Sequence, residues 1–284
     1  MNLFAAILAA VVVGTWNGRW FPSGRAEHRA NPEVEAATVS AAGRMLKEAL
    51  SEIDPVGTND VILCLNEIRD PAAASNLVAA VGRKGLAVAV ITRYRRRDRF
   101  DMQQDVIATT LPVAQASWSK WRNARELTPP RGYAFASVVI SPAVTANVYA
   151  VHLKSNYGAN TAFKRDMNRD KRIKAVEQLM AIERGKRGGS SRPVIIAGDM
   201  NADPWRKEFS EEKIFDLFSG SGFLNTLSLL PEGERGTHPS RKWGDSALDY
   251  IMTRGFDVSA PPRIVPNDEL SDHYAVFALV EMQK

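Results

Sequence analysis

Short apolar runs recur along the chain and alternate with segments whose apolar residues are spaced as on one face of a helix. Apolar runs of this length, bounded by polar or turn residues, predict buried β-strands. The strand-like runs lie at 11–17, 61–65, 86–91, 106–111, 133–140, 148–153, 194–197, 248–253 and 274–280. Several neighbouring runs have no helical segment between them, so the pattern favours mixed sheets covered by helices over a purely parallel sheet.

Two helices are predicted from the residues at their beginnings. Asn31 precedes Pro32, which is typical of a cap followed by proline at the first helical position, and this helix should continue to about Leu50. Its apolar stripe is predicted to consist of Val34, Ala37, Ala41, Met45 and Leu46. Asp70-Pro71 begins a shorter helix, which should end near Gly85.

Two further helices are predicted from periodicity, over 161–184 and over 211–218. The first is rich in basic residues and should be followed by a flexible turn at 188–191. Its apolar side is predicted to consist of Phe163, Met167, Ile173, Val176 and Met180.

Length and composition favour one globular domain over residues 1–284. The single cysteine, Cys64, lies inside an apolar run and is predicted to be a packed core residue. Leu3 to Val13 is apolar and continues into the first strand, so residues 1–10 are either the remnant of a leader or the start of that strand. No segment is long enough to span a membrane. Neither an obligate protein partner nor an oligomer is indicated, and we expect a monomer. The compartment stays open between the cytoplasm and export.

Positive charge is concentrated in one segment. The formal net charge is +5, and residues 164–187 carry enough basic groups to account for the whole excess. The basic residues there are Lys164, Arg165, Arg169, Lys171, Arg172, Lys174, Arg184, Lys186 and Arg187. A second cluster lies at 93–99. Such patches suit a polyanion, either nucleic acid or an anionic membrane, but they are equally typical of a solvated helix face.

Polar side chains that can bind metals or transfer protons follow several of the predicted strands. The carboxylates at strand ends are Glu67, Asp199, Asp249 and Asp272, the amides are Asn17 and Asn201, and the imidazoles are His152 and His273. Hydrolysis of a phosphodiester requires these groups: carboxylate oxygens for a hard divalent cation, a base for the attacking water, and an imidazole for the phosphate or a proton. One shared site is therefore indicated.

The ordered set of motifs resembles the endonuclease/exonuclease/phosphatase superfamily, the deoxyribonuclease-I-like fold. The matching segments are Thr15-Trp16-Asn17, Asn66-Glu67-Ile68-Arg69-Asp70, Arg131, His152-Leu153-Lys154-Ser155-Asn156, Gly198-Asp199-Met200-Asn201, Asp249-Tyr250-Ile251 and Ser271-Asp272-His273. The resemblance implies an α/β (α+β) fold, a four-layer sandwich of two packed mixed β-sheets with helices on both outer faces. One departure is Asn66, where relatives usually carry Gln.

The resemblance also implies a role for each residue. Glu67 would be the main ligand of one or two Mg²⁺ or Mn²⁺ ions, with Asn17 and Asp272 beside it. The catalytic set would be His152, Asp199, Asn201, Asp249 and His273. Within it, Asp199 would activate water, Asn201 would fix its geometry, and Asp249 would orient His273 on the phosphate. The residues that would bind phosphates of the substrate are Arg69, Arg131, Lys154 and Asn156.

Fold alone does not set the substrate. The segment around Glu67 resembles the deoxyribonuclease version of the motif, and basic residues follow Lys154 directly, so the leading hypothesis is a low-specificity DNA nuclease with nucleic acid as partner. The alternatives are a phosphodiesterase or phosphatase acting on a lipid (sphingomyelinase- or phosphoinositide-like) or on a small phosphate ester, and a non-catalytic nucleic-acid binder. Four aromatic residues are candidates for stacking on bases or for core packing: Tyr94, Trp118, Trp121 and Trp243.

Overall fold

The computed structural model describes residues 10–24, 31–96, 99–100, 103–123, 127–186, 192–241, 244–267 and 269–283. Three predicted features lie wholly or partly outside these residues: the apolar N-terminal run before Ala10, the turn at 188–191, and Trp243. Within the described chain, strands and helices follow the alternation that the hydrophobic pattern predicts.

Fifteen strands occur in the described chain. They are β1 Ala10–Phe21, β2 Asp60–Ile68, β3 Ala87–Ile91, β4 Arg95–Arg96, β5 Arg99–Phe100, β6 Gln104–Thr109, β7 Val113–Lys120, β8 Gly132–Ser141, β9 Val144–His152, β10 Val194–Asp199, β11 Leu224–Asn225, β12 Asp249–Arg254, β13 Phe256–Val258, β14 Arg263–Val265 and β15 Ala275–Met282. The helices are α1 Pro32–Ile53, α2 Pro71–Val81, α3 Ala162–Lys186 and α4 Ile214–Ser219.

The strands form two large sheets and a small hairpin. The first sheet has the order β13-β15-β1-β2-β6-β3, with β14 also paired to β15, and the second has the order β11-β12-β10-β9-β8-β7. In each sheet one central pair is parallel, β1 with β2 and β9 with β10, and the other pairs are antiparallel. Mixed sheets of this kind were predicted from the missing crossover helices, and the prediction is confirmed.

The two sheets pack face to face, and helices cover both outer faces. Alternation along β1 shows how one strand serves two layers: Val11 and Val13 pack in the core between the sheets, while Val12 and Trp16 pack under α1 and α2. On the other side, α3 and α4 lie against the second sheet. The four-layer sandwich implied by the resemblance is confirmed.

The helix beginnings follow their sequence signals. Asn31 caps α1 by accepting a hydrogen bond from the backbone of Glu33, and Asp70 caps α2 by accepting one from Ala73. Gly82, in the left-handed conformation at φ 68°, ends α2 earlier than the predicted end near Gly85. Among the helices that the structure describes, none combines the length and apolar composition needed to cross a membrane.

Three predictions about burial differ from the structure. Val34 and Ala37 of the predicted α1 stripe are exposed, because only the second half of that helix contacts the first sheet. Phe163, assigned to the apolar side of α3, is 75% exposed. Strand β7 was not predicted, because it is an exposed edge strand without an apolar run. Cys64 is fully buried as predicted, and burial raises the pKa of its thiol.

Candidate active site

The polar residues predicted at strand ends lie together at one edge of the sandwich. The parallel pair β1–β2 places Asn17 opposite Asn66, next to Glu67, and the parallel pair β9–β10 places His152 opposite Asp199. Strands β12 and β15 run the other way, so their first residues reach the same edge. A side-chain contact joins the two sheets there, because Asn17 Nδ2 donates to Asp199 Oδ2 at 2.9 Å.

Asp199 is held from three directions. Besides the bond from Asn17, its Oδ1 accepts a hydrogen bond from the backbone N–H of Asn201 at 2.9 Å, and its own N–H donates to Asn66 Oδ1 at 2.9 Å. Burial raises the pKa of Asp199 to about 7, with Asp249 adding to the effect and His273 opposing it. This carboxyl can therefore gain or lose a proton near neutral pH.

The backbone around Asp199 requires unusual conformations. At Gly198, with φ 142°, a Cβ would lie 1.9 Å from the carbonyl oxygen of Val151, so only glycine lets β10 approach β9 there. Five non-glycine residues at this edge also have positive φ: Arg19 at 47°, Trp20 at 51°, Glu67 at 56°, Arg131 at 64° and Asn201 at 52°. Strained residues of this kind concentrate at functional sites.

His273 forms a dyad with Asp249. Its Nδ1 lies 2.8 Å from Asp249 Oδ2, which also accepts a hydrogen bond from Thr237 Oγ1 at 2.8 Å. Its Nε2 faces Asp199 Oδ2 at 3.9 Å. Burial opposes the charged imidazole, but Asp249 and Asp199 outweigh it and raise the pKa of His273 to about 10. The imidazole is therefore a cation at neutral pH.

Glu67 lies beside this dyad with few hydrogen bonds to its carboxylate. Oε2 accepts from the backbone N–H of Trp20 at 3.2 Å, and Oε1 accepts from Gln103 Nε2 at 3.0 Å. Burial raises the pKa of Glu67, although Arg131 and His273 oppose the shift. Among the described residues, no Lys or Arg forms an ion pair with this carboxylate.

His152 completes the cluster as a neutral imidazole. Its Nε2 lies 3.7 Å from Glu67 Oε1 and 3.4 Å from Asp199 Oδ2. Burial, with the charges of Arg131 and His273, lowers the pKa of His152 well below its usual value. These contacts are therefore not ion pairs at neutral pH, and the ring can donate a proton from only one nitrogen at a time.

Arg131 supports the cluster. Its guanidinium donates to the carbonyl oxygens of His152 at 3.0 Å and Leu153 at 2.6 Å, and to Gln103 Oε1 at 2.8 Å. Gln103 in turn donates to Glu67. Arg131 thus fixes both the chain after His152 and the side chain that holds Glu67, and its predicted contact with a substrate phosphate stays a prediction.

Two other predicted phosphate-binding residues, Lys154 and Asn156, follow directly in the loop after β9. Lys154 is half-buried, and burial together with Arg131 and Lys171 lowers the pKa of its ammonium group. Asn156 Oδ1 accepts a hydrogen bond from Arg172 at 3.2 Å. The loop therefore places positive charge directly after His152.

Arg69 and Asp272 both form ion pairs with side chains of the protein. Arg69 forms ion pairs with Glu35 of α1 and with Asp70, and its side chain is 13% exposed. These partners tie α1 to the end of β2. Asp272 pairs with Arg19 at 3.4 Å, and both side chains are nearly half exposed at the mouth of the site. The roles assigned to both residues stay predictions.

Arg172 fits neither alternative given for the basic segment, a patch for polyanions or a solvated helix face. Its side chain is 1% exposed, its Nε donates to Glu212 Oε2 at 2.8 Å, and its Nη1 donates to the carbonyl oxygen of Lys154 at 2.8 Å. The spacing of apolar residues along the helix could not predict this ion pair, because its partner Glu212 comes 40 residues later in the chain. Arg172 instead positions the loop after His152.

Removing the Arg172 guanidinium should therefore destabilise the fold. We expect Arg172→Ala to lower the free energy of unfolding by about 3–5 kcal/mol, because Glu212 would stay buried without a partner. A urea titration measures this. The double variant Arg172→Met Glu212→Met should recover most of the loss, and a single variant as stable as the wild type would contradict the assignment.

The donor set fits a divalent cation. Glu67 and Asp199 are buried carboxylates whose pKa values burial raises, and a divalent cation bound between them would stabilise their charged forms. Ligand atoms of Asp199, Asp249 and His273 also lie within 4.8 Å of one another. Asp249 Oδ2 and His273 Nδ1 already bind each other, however, so the oxygens of Glu67 are the better ligands.

Comparison with known proteins decides the family. The sequence model of the endonuclease/exonuclease/phosphatase family matches residues 14–273, which contain all the strand-end residues above. The chain belongs to the endonuclease/exonuclease/phosphatase family. Membership makes it a hydrolase of phosphate esters and leaves the substrate unspecified. None of the curated protein sequences compared with the chain matches it.

Solved structures of this family share the fold at low sequence identity. An endonuclease/exonuclease/phosphatase from Beutenbergia cavernae is 16% identical with a TM-score of 0.63, and the match covers 96% of this chain and 72% of that one. The human nocturnin catalytic domain with bound sulfate is 15% identical with a TM-score of 0.64, and the match covers 98% of this chain and 96% of that one. Sphingomyelinase C from Streptomyces griseocarneus is 17% identical with a TM-score of 0.61, and the match covers 95% of this chain and 99% of that one. These likenesses establish the fold alone.

Sequence reasoning missed two parts of the site. His238 packs its ring edge-on against His273 with ring centroids 4.8 Å apart, and its neighbour Thr237 holds Asp249. Asp105 holds Asn66 through a 2.7 Å hydrogen bond, and Asn66 in turn holds Asp199. No predicted strand adjoins Thr237, so the pattern carried no signal there. Asp105 directly precedes the predicted strand at 106–111, as His273 precedes the one at 274–280, and this position was the signal that could have found it.

Proposed function

We propose that this chain is a divalent-cation-dependent phosphodiesterase that cleaves DNA with low sequence specificity. The observation that carries the proposal is the position of the His273–Asp249 dyad, whose free Nε2 faces Asp199 beside the buried carboxylate of Glu67. Phosphodiester hydrolysis needs three groups that are found here. They are an imidazolium, a carboxyl that titrates near neutrality, and a buried carboxylate that forms no ion pair with a described Lys or Arg.

In this proposal each residue acts through contacts already described. Asp199 accepts the proton of the attacking water and is kept in place by Asn17 and Asn201. His273, charged by Asp249, donates a charged hydrogen bond to a phosphate oxygen. His152, whose neutral ring can donate one hydrogen bond, contacts the phosphate. Protonating the leaving oxygen would need its imidazolium form, which burial disfavours.

Glu67, with Asn17 and Asp272 beside it, would hold one or two Mg²⁺ or Mn²⁺ ions. A bound ion of this kind polarises the phosphate and stabilises the charge that grows on it. Burial, the hydrogen bonds from Trp20 and Gln103, and the nearby Arg131 keep the carboxylate of Glu67 in a fixed position for this purpose.

DNA is favoured as substrate by the positive charge near the site. Lys171 and Arg131 lie close enough to Lys154 to lower the pKa of its ammonium group, so three positive charges are neighbours there. Neighbouring cations of this kind suit successive phosphates of one backbone, and binding should weaken as salt rises.

Product analysis tests this proposal against its alternative. The purified chain is incubated with supercoiled plasmid, linear DNA, DNA ending in a 3′-phosphate, RNA, sphingomyelin and inositol phosphates, each with Mg²⁺, Mn²⁺ or chelator. We expect nicked and shortened DNA with either metal and none with chelator. Turnover of sphingomyelin or an inositol phosphate without cleavage of DNA would replace the nuclease by a lipid or small-ester phosphodiesterase.

Glu67→Gln should weaken the binding of Mn²⁺ at least about tenfold, because it removes the charge but keeps the shape of the side chain. Isothermal titration with Mn²⁺ measures this without turnover. Glu48→Gln makes the same change on an exposed position of α1 and should leave the titration unchanged. Equal affinity in the Glu67 variant and the wild type would remove Glu67 from the metal site.

The pH profile should have two limbs. As a base, Asp199 works only unprotonated, so kcat/KM should rise with pH through about 7. As a cation, His273 works only protonated, so kcat/KM should fall as pH approaches about 10. Higher Mn²⁺ concentrations should move the lower limb to lower pH, because the cation favours the carboxylate. Hydrolysis of bis(p-nitrophenyl) phosphate measures the profile, and an activity that falls on passing from pH 6 to 8 would contradict these roles.

A further inference from the structure

Two aromatic side chains in the segment that follows His152 stand in solvent. Tyr157 is 94% exposed and Phe163 is 75% exposed. Of the four aromatic candidates for base stacking or core packing, Tyr94 and Trp121 are in the core and Trp118 packs edge-on against Tyr94, while Trp243 lies outside the described residues. Exposing two large rings in one short segment is costly unless a partner covers them.

The segment that carries these rings, residues 155–165, is fixed to the protein at its base. The carbonyl oxygen of Ser155 accepts a hydrogen bond from Asn168 at 3.0 Å, and Asn156 accepts one from the buried Arg172 at 3.2 Å. The N–H of Tyr157 donates to Ser155 Oγ at 3.0 Å. The rings are therefore presented on an anchored loop, which lowers the entropy lost when a ligand binds them.

The loop begins close to the site along the chain. Tyr157 follows His152 by five residues, so their Cα atoms are at most about 18 Å apart. Lys154, between them, is near Lys171 and Arg131. Lys164 and Arg165 follow Phe163 directly. Positive charge thus borders the two rings on both sides.

We propose that residues 155–165 bind a single-stranded stretch of nucleic acid, with unpaired bases stacked on Tyr157 and Phe163 and phosphates bound by Lys154 and Lys164. This inference rests on the proposed function and narrows its substrate to strands with accessible bases. Aromatic rings interleaved with cations suit such strands, because every base has a face to stack and every nucleotide a charge.

An anionic membrane is the other polyanion that could cover aromatic and basic residues. Segments that enter a membrane surface usually add aliphatic side chains to the aromatic ones. Between residues 155 and 165 the chain has no Leu, Ile, Val, Met or Trp, and its remaining apolar residues are two alanines. The composition therefore favours nucleic acid.

The test compares oligonucleotides that differ only in having bases. Binding of an oligothymidylate of about 12 nucleotides, and of an abasic strand of equal length, is measured by fluorescence anisotropy in chelator, which prevents cleavage. The double variant Tyr157→Ser Phe163→Ser should bind the oligothymidylate at least about tenfold more weakly than the wild type and the abasic strand equally well. Tyr157→Phe Phe163→Tyr, which keeps both rings, should bind both strands as the wild type does.

Hydrolysis of bis(p-nitrophenyl) phosphate is the control for the catalytic centre, and the serine variant should retain it. An unchanged affinity of the serine variant for the oligothymidylate would overturn the inference while leaving the nuclease proposal intact. Weaker binding of that variant to phosphatidylserine vesicles but not to DNA would also overturn it. If the wild type hydrolyses the small diester but no nucleic acid, the proposed function fails.

Discussion

The Asp199→Asn variant is expected to cleave DNA at least ~100-fold more slowly than the wild type while remaining folded. Asparagine keeps the oxygen that accepts the N–H of Asn201 but has no basic oxygen to receive a proton from water. In the variant, the amide group of the new asparagine would also face the amide of Asn17, which in the wild type donates a hydrogen bond to Asp199. Plasmid nicking under saturating Mn²⁺ gives the turnover, and circular dichroism during heating checks the fold.

Asp203→Asn is the matched control for this substitution. Asp203 lies four residues further on in the same loop and is also buried, but its oxygens accept backbone hydrogen bonds from Trp205 and Ala247. The control should lower the melting temperature and change turnover by only a few-fold. If Asp199→Asn retained near-wild-type nicking, Asp199 would not be the base.

His273→Ala is expected to cost a similar factor, at least ~100-fold in kcat. It removes the imidazolium that would contact the phosphate and leaves Asp249 buried with only Thr237 as a side-chain partner. The loss should appear in kcat more than in KM, since the proposed contact strengthens as charge develops on the phosphate.

Asp249→Asn provides an independent check on the same dyad. Without the Asp249 carboxylate, the pKa of His273 should fall, so the upper limb of the pH profile should move to lower pH. His238→Phe keeps a ring against His273 and should leave both kcat and that limb close to the wild type. A His273→Ala enzyme with wild-type kcat would exclude the dyad from the reaction.

The sequence was sufficient to predict the layers of the fold because they depend on local patterns. Apolar runs marked the buried strands, and Asn31 and Asp70 marked the beginnings of two helices. Strand β7 lacked such a pattern because its side chains face solvent. The exposure of Val34 was not predictable either, because how far α1 overhangs the first sheet is set by tertiary packing.

The site was predictable where its residues follow strands. Glu67, Asp199 and His273 each adjoin a buried run, and sheet pairing brings them together. Long-range pairings carried no such signal. Arg172 forms a buried pair with Glu212, and Asp105 holds Asn66. Both contacts join segments that are far apart in the sequence, so the local sequence does not reveal which side chains pair. These contacts position the loop after His152 and the backbone of Asp199.

The position of the cation is the central claim, and anomalous diffraction from a crystal soaked in Mn²⁺ measures it directly. We predict a peak within coordination distance of a Glu67 carboxylate oxygen, at the edge of the sandwich where Asp199 and His273 also lie, and its loss in the Glu67→Gln variant. A peak coordinated instead by Asp249 and His273 Nδ1, or no peak at this edge of the sandwich, would contradict the account.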